Sequence, residues 1–372
     1  MKLLYIVPNY EHYRMRAPGI IRKIDDQITA LNSAGVTTEL VKAETSIGRL
    51  RVICSRLPFA KDTVNWHTIR IGSDVDAIYI RKPFYFNRDI VRWLTYVRKE
   101  NPSIRVIIEL PNYPYDLTYS KLHRLPLLLK DRLNRNRLSE LVDRYVVFSA
   151  DRSVFGVPAI NIINGIDLSS YSVRKSRNKS PHDRLQILCV AAYHFWHGTD
   201  RLIMGLSNYI KSGKRPEIMI HLAGDGPDMK RIKSMVKEHD LGNSVKFYGM
   251  LNKDELDNLY DECDLAVEVL GNHRQGIRVS SSLKSREYLA KGMPFIYSGE
   301  LDVFNIEPVN FCLNVPANDD PIDMDTVVKF YKETISNEGT DEIIARIRSY
   351  AEENISMKQT ILPIVRYLVE RK

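Results

Sequence analysis

The chain opens on "LLYIVP" (3–8), an apolar run of strand length that stops at Pro8-Asn9. From Pro18 the spacing changes: "PGIIRKIDDQITALNSAG" has helical periodicity, with Pro18 near its start and Gly35 just past its end, the residues that favour those two positions of a helix. "VTTELV", "DAIYI" (76–80), "RVIIEL" (105–110) and "RYVVFS" (144–149) are further β-branched apolar runs, and helical stretches over 88–100 and 121–142 separate them. Strands alternating with helices predict βαβ units and a mostly parallel sheet. Residues 168–184, "LSSYSVRKSRNKSPHDR", interrupt the rhythm. They are polar, serine-rich and basic, without apolar period, and read as an interdomain linker.

A second series then begins. "LQILCVAA", "EIMIHLAG", "SVKFYGM" and "DLAVEVL" are strands, with helices expected over 199–212, 228–239 and 253–262. The chain therefore reads as α/β, with two doubly wound Rossmann-like domains, 1–167 and 185–355, facing each other across a ligand cleft. A last helix over 356–372 follows no strand and is expected to pack back toward the N-terminal domain. The length of 372 residues agrees with two domains, because single cores stop growing near roughly 250–300 residues.

Composition adds exclusions. No apolar run approaches the roughly 20 residues that span a bilayer. "MKLLYIVPNY" has no small-residue cleavage site after it, so it reads as a first strand rather than a signal peptide. Cys54, Cys189, Cys263 and Cys312 show no paired spacing and are expected to be reduced thiols of a cytoplasmic protein, with no metal framework. The net charge of +8 is uneven: residues 1–166 hold 26 Lys/Arg against 16 Asp/Glu, which is +10, and the remainder is −2. A basic half calls for an anionic partner or surface. Nucleic acid is not expected, since no recognition motif accompanies the charge.

Candidate chemistry gathers in the second half. "HLAGDGPDMKRIKSM" (221–235) is a strand, a glycine turn and a helix; Gly224 and Gly226 would let backbone approach a ligand at the sheet's C-terminal edge. "AYHFWHGTDRL" (192–202) is the matching turn after the first strand, with His194 and His197 as donors to a phosphate or sugar oxygen. No cysteine or carboxylate pair supports a metal there. In "SSSLKSREYLAKGMPF" (280–295), a Ser282 cap would point the free N–H groups and the positive pole of a helix at ligand space. Such a start binds phosphate, and Ser280, Ser281 and Lys284 add donors. Glu287, one turn further in, suits the two hydroxyls of a ribose. Together these describe a nucleotide-diphosphate site, although an ordinary capped surface helix has the same composition.

Taken in order, "AYHFWHGTDRL", "HLAGDGPDMKRI", "VKFYGMLNKDELDNLYDECDLAV" and "SLKSREYLAKGMPFI" resemble the donor domain of GT-B glycosyltransferases, specifically retaining glycosyltransferase family 4. The resemblance extends over nearly the whole chain, including "PGIIRKIDDQITALNSAGVTTELV" and "INGIDLSSY", and "LGNHRQGIRVSSSLKSREYLAKG" looks closest to enzymes of bacterial surface-polysaccharide assembly. It implies a nucleotide-sugar donor, most often UDP-linked, with no other cofactor. It also implies hexosyl transfer with retention to a glycan or lipid-linked saccharide. By resemblance Glu287 takes the ribose hydroxyls, the Gly249-Met250-Leu251 turn meets the base, and Lys284 with the serines meets the diphosphate. Two departures stand out. Ala191-Ala192 and His197 occupy positions where the family has glycine-arginine and lysine, so Arg274, Arg278 or Lys284 would have to hold the diphosphate. The family's first glutamate has no match, and His273, Arg274, Gln275 and Gly276 stand in its region.

The first half would hold the acceptor. Arg14 and Arg16, with Gly19, lie in "NYEHYRMRAPG" after the first strand, and Tyr113, Tyr115 and Asp116 in "ELPNYPYD" after another. Glu109 or Asp116 could assist proton removal. "SKLHRLPLLLKDRLNRNRL" (120–138) interleaves six Lys/Arg with seven leucines, and reads as a basic amphipathic helix for the inner membrane face, where a polyprenyl-diphosphate-linked acceptor would sit. Its bland alternative is a buried helix with a charged outer face. "SDVDA", with Asp74 and Asp76, has the D-x-D spacing of metal-dependent transferases but precedes a strand in the wrong domain, and reads as a turn. Two other functions fit the same fold: a sugar-nucleotide epimerase, and a non-catalytic subunit that binds a partner transferase.

Overall fold

The computed structural model describes residues 1–45, 55, 57, 60–61, 63–116, 124–176, 184–214, 216–304, 309–336 and 340–370. Two compact units emerge: Met1–Gly165 with Met357–Lys372, and Ile166–Ser356.

In the first unit, β1 (Lys2–Val7), β2 (Thr37–Lys42), β3 (Ala77–Arg81), β4 (Arg105–Leu110), β5 (Arg144–Val147), β6 (Ser153–Val154) and β7 (Val157–Asn161) form one sheet in the order β2-β1-β3-β4-β5-β7-β6. Pairing is parallel except between β6 and β7. Strand alternation divides the core in two. Leu3, Tyr5 and Val7 of β1 pack with Tyr79, Ile24 and Leu31, whereas Leu4 and Ile6 pack on the other side with Ile78, Ile80, Trp66 and Trp93. Every residue of β3 is buried, the pattern of a central parallel strand covered on both faces. Helices α1 (Tyr10–Arg16), α2 (Pro18–Ser33), α3 (Arg88–Glu100) and α4 (Leu125–Arg135) supply the connections. Asn87 caps α3, its side chain accepting from the N–H groups of Asp89 and Ile90. The segment read as one last helix is two, Met357–Thr360 and Leu362–Val369; Met357, Ile361, Ile364 and Leu368 pack into the same core as β1. Asp74 and Asp76 hold Lys2, through its ammonium at 2.8 Å and its backbone N–H at 2.7 Å.

The second unit has a six-stranded, all-parallel sheet. Its strands are β8 (Leu185–Val190), β9 (Ile218–Ala223), β10 (Val245–Gly249), β11 (Leu265–Val267), β13 (Phe295–Ser298) and β15 (Cys312–Val315), in the order β10-β9-β8-β11-β13-β15. The two-residue strands β12 (Val279–Ser280) and β14 (Glu300–Leu301) pair separately. The helices are α5 (Thr199–Lys211), α6 (Met229–Glu238), α7 (Lys253–Glu262), α8 (Leu283–Lys291), α9 (Met324–Tyr331) and α10 (Thr340–Asn354). Residues 168–176, expected in a linker, are built into this unit. Leu168 and Arg174 are buried, and the Arg174 guanidinium donates to the Cys263 carbonyl at 2.7 Å. A serine-rich, basic sequence hides this anchoring because the partners are backbone carbonyls rather than apolar side chains. The rest of that segment, 177–183, lies outside the described residues. Cys189, Cys263 and Cys312 are buried free thiols, and Cys54 lies outside the described residues.

Candidate functional site

From β8 the chain winds outward through β9 and β10, then crosses back to β11 on the other side of β8. The sheet's switch point therefore lies between β8 and β11, where open α/β folds bind ligands at the C-terminal strand ends. The loops that follow these two strands touch backbone to backbone. Leu270 N–H donates to the His197 carbonyl at 2.9 Å. Gly198 sits at φ 68°, and a Cβ there would lie 2.8 Å from Gly271 N; only glycine admits this approach.

The Gly224–Gly226 turn is explained differently from the expectation. A Cβ on Gly224 would lie 2.0 Å from the Ala191 carbonyl oxygen, and one on Gly226 would lie 2.4 Å from that of Tyr193. Both glycines admit the neighbouring 191–193 loop, with Tyr193 N–H donating to the Asp225 carbonyl at 3.0 Å. They shape the rim by packing protein against protein.

Helix α8 starts at the same edge. Ser282 is its N-cap, accepting the Ser285 N–H at 3.3 Å, and Gly292 closes it in the left-handed conformation. The Ser282 hydroxyl donates to the carboxylate of Glu268, a residue 1% exposed just past β11. Arg286, wholly buried, holds the turn from beneath. It donates to the Ser282 carbonyl at 3.0 Å, to the Ser281 hydroxyl at 3.3 Å, and to both oxygens of Asp302 at 2.6 Å. The serine turn is thus pinned by charge-assisted bonds on one side, while the first-turn N–H groups lack intrahelical partners.

Lys284 and His197 come together here. The His197 Nδ1 accepts the His194 N–H at 2.9 Å, which leaves the ring proton on Nε2. Burial lowers the His197 pKa to about 4, reinforced by the Lys284 ammonium and by His194. His197 is therefore a neutral Nε2–H donor near neutral pH, with the Lys284 side chain beside it. His194 stacks on Trp196 with ring centroids 4.2 Å apart. Glu287 accepts from the hydroxyl of Tyr171 at 3.2 Å, and the Lys253 ammonium reaches the Ser170 carbonyl at 3.4 Å. The 168–171 segment thereby bridges Glu287 to the start of α7, beside the Gly249-Met250-Leu251 turn. Gly249 has φ 67° and Met250 is 79% exposed, an open apolar side chain at the strand end. Ser280 is buried, whereas Gln275, Gly276 and Arg278 are exposed.

Arg274, considered as a replacement diphosphate clamp, is committed elsewhere. Its guanidinium pairs with Asp200 at 2.9 Å and Asp319 at 2.6 Å, and Phe195 lies against it at 4.4 Å. His273 shares Asp319 at 3.1 Å. Lys284 and Arg278 are left as the cations near the α8 start without an ion pair among the described residues.

In the first unit, several expected acceptor contacts are internal. Tyr115 is buried and its hydroxyl donates to Asp131 at 2.8 Å. Asp116 is paired with Arg135 at 2.6 Å and Arg132 at 2.7 Å; the Arg135 bond, chiefly, holds its carboxyl below the ordinary range. Tyr113 packs edge-on against Phe155 at 5.8 Å. Arg14 pairs with Glu11 at 2.7 Å on the surface, and Arg16 and Gly19 are exposed. Glu109 is fully buried and bonded to Tyr79 at 2.7 Å and Arg81 at 2.6 Å. Burial pushes its carboxyl up, but Lys23, Arg81, Tyr79 and Gln27 outweigh that and keep it below the usual range. An anion so enclosed is a poor candidate for proton removal.

Sequence reasoning missed Glu268, Arg286, Asp302 and Tyr171. Arg286 sits two residues from Lys284 in an ordinary amphipathic pattern, and only the fold brings Asp302 beneath it.

Comparison with known proteins bears on the fold. Residues 172–272, which contain β8 to β11, match the family described as glycosyl transferases group 1. No curated protein matches the chain. The whole fold resembles a sucrose-phosphate synthase from Thermosynechococcus elongatus, with TM-score 0.62, 14% identity, and 99% of this chain and 98% of that one covered. It also resembles the Anabaena protein HepE in complex with UDP, with TM-score 0.61, 14% identity and 99% of both chains covered. A third similar structure is a glycosyltransferase from Rickettsia africae, with TM-score 0.59, 13% identity, and 100% of this chain and 99% of that one covered. The architecture is that of the GT-B glycosyltransferases, two Rossmann-like α/β domains.

Proposed function

We propose that the protein is a retaining glycosyltransferase of the family 4 type, moving a hexose-type sugar from a UDP-sugar to a glycan or lipid-linked saccharide in surface-polysaccharide assembly. The observation that carries this reading is the α8 start: a serine-capped, cation-flanked helix terminus at the sheet's switch point. Developing negative charge on a leaving diphosphate is what such preorganised donors stabilise. Lys284 supplies the cation, and the first-turn N–H groups not taken by the Ser282 cap supply fixed donors. His197 supplies a neutral Nε2–H that needs no deprotonation near neutral pH. In the transfer the anomeric C–O bond to the diphosphate breaks, an acceptor oxygen bonds to the same face, and the acceptor's proton leaves with the products. Glu287, already accepting one hydroxyl from Tyr171, takes the ribose. The uridine choice draws on the family resemblance and on HepE, a structural neighbour found with UDP and with UDP-glucose.

Calorimetric titration with UDP, GDP and ADP tests this. Selective UDP binding is expected, weakened roughly tenfold or more in Glu287→Ala by loss of a charged hydrogen-bond acceptor. Turnover of UDP-sugar only when acceptor is present identifies a transferase, whereas turnover with donor alone identifies an epimerase. Failure to bind any of the three nucleotides would overturn the donor site and favour the non-catalytic subunit.

A further inference from the structure

A groove of about 630 Å³ runs along one flank of helix α3 in the first unit. Asp89, Arg92, Trp93, Tyr96 and Glu100 line one side; spaced three or four residues apart, they share a helix face. The segment 64–73 forms the other wall, with Ile69 and Arg70. The two walls are tied together, so the groove is preformed. The Trp93 indole N–H donates to the Ile69 carbonyl at 3.3 Å, and its ring lies 5.4 Å from that of Trp66. At the far end the Asn101 side-chain amide reaches the Val75 carbonyl at 3.5 Å. Ile90, Leu94 and Val97 bury the helix against the core, and Tyr96 takes no part in that packing, being 56% exposed. Arg70, Arg92 and Glu100 are exposed as well, and have no ion pair among the described residues. An aromatic wall with a few convergent polar groups, at this volume, is the form of a ligand site.

We propose that this groove binds an oligosaccharide. The unpaired charges of both signs select the ligand. An acyl chain would strip water from Arg70, Arg92 and Glu100 without replacing its hydrogen bonds. A simple anion would meet the two cations but also the carboxylates of Asp89 and Glu100. A sugar hydroxyl both donates and accepts, so one ring can accept from a guanidinium and donate to a carboxylate. Its C–H face can pack on Tyr96, whose ring face carries partial negative charge. From Asp89 to Glu100 the helix rises about 16 Å, longer than one sugar ring, so the ligand is a short chain. The groove starts near the C-terminal end of β3, where Asn87 caps α3, and runs toward the opposite edge, where β4 begins at Arg105. It leads away from the edge at which folds of this kind bind reacting ligands, and so holds glycan rather than the reacting sugar. The inference deepens the proposed function and rests on it for the origin of the glycan, whereas the binding itself needs no donor.

Saturation-transfer NMR of the full chain with maltohexaose, cellohexaose and chitohexaose, each without nucleotide, tests the proposal. At least one is expected to take saturation at its ring C–H protons, with an affinity that added salt leaves unchanged because the ligand is neutral. Tyr96→Ala should weaken binding roughly tenfold by loss of an aromatic anchor, and Arg92→Ala should weaken it by loss of a charged donor. Both side chains are exposed, so circular dichroism and the urea midpoint should match the wild type. The proposal falls if none of the three sugars takes saturation, or if both variants bind as the wild type does. It also falls if dodecanoate displaces the sugar, which would assign the groove to an acyl chain. A change of mass in solution in Tyr96→Ala would overturn it too, by assigning the groove to a protein partner. UDP titration of the same preparation separates the two readings: sugar bound without UDP overturns the donor site alone, and UDP bound without sugar overturns the groove alone.

Discussion

His197 shows how one side chain's environment sets its chemistry. Burial, the Lys284 ammonium and His194 together hold its pKa at about 4, against 6.5 ordinarily. Its neutral form is thus favoured in the folded state. That stabilisation is complete above pH 6.5 and is lost as pH falls toward about 4, since the unfolded chain binds the proton more readily in that window. His197→Gln should remove this share of acid lability. The urea midpoint of the wild type is expected to fall further between neutral pH and about pH 4 than that of the variant. Equal falls would mean that the imidazole is not held neutral. The pair of histidines was legible in the sequence as a donor candidate. Which nitrogen carries the proton was not, because that depends on a bond to the His194 N–H.

At the scale of elements, the glycine turn after β9 is the clearest case of a correct location with a different cause. "HLAGDGPDMKRI" marks a strand, a turn and a helix in the right order, yet Gly224 faces the Ala191 carbonyl 2.0 Å from where a Cβ would be built. Gly224→Ala also places alanine at φ 110°. The substitution should destabilise the second unit by about 1–3 kcal/mol, and the shifted 191–193 loop should weaken UDP binding together with stability. Urea unfolding and calorimetry on one preparation check both. A variant as stable as the wild type would show that the loop yields without cost. Helix α4 makes a related point. Lys130 and Asp131 are buried while Leu125, Leu129 and Leu133 are exposed, and residues 120–123 before the helix lie outside the described residues. Its mixture of leucine and basic residues was evident in the sequence, but periodicity treats Lys130 and Asp131 as surface residues, and only partners distant in sequence make their burial affordable.

For the whole molecule, the chain's end completes the first unit rather than extending the second. Met357, Ile361, Ile364 and Leu368 are buried in the core that holds β1 and β3, and the Arg105 guanidinium donates to the Tyr367 carbonyl at 2.9 Å. Four such side chains contribute roughly 1.5–3 kcal/mol each, comparable with the whole stability of a domain. Deleting residues 357–372 should therefore unfold or loosen the first unit while the second keeps its cooperative transition. Calorimetry should show one transition retained, and hydrogen exchange should report retained protection in the second unit and lost protection in the first unit's sheet, β1 and β3 included. Retained protection there would mean that the core closes without this segment.

Local order was the part that the sequence determined by itself. The strand and helix series, the turn positions and the Ser282 cap follow from short-range periodicity and capping chemistry, which neighbours a few residues apart are enough to specify. The tertiary structure alone decided which charges are available. Arg274 looked like a phosphate ligand until Asp200 and Asp319 were found on it, and Tyr115 looked like an acceptor contact until Asp131 was. Arg286 and Glu268, unremarked in the chain, proved to hold the helix start in place. Those assignments depend on partners between 14 and 74 residues away. Burial and pairing are properties of such long-range neighbours, and no local pattern records them.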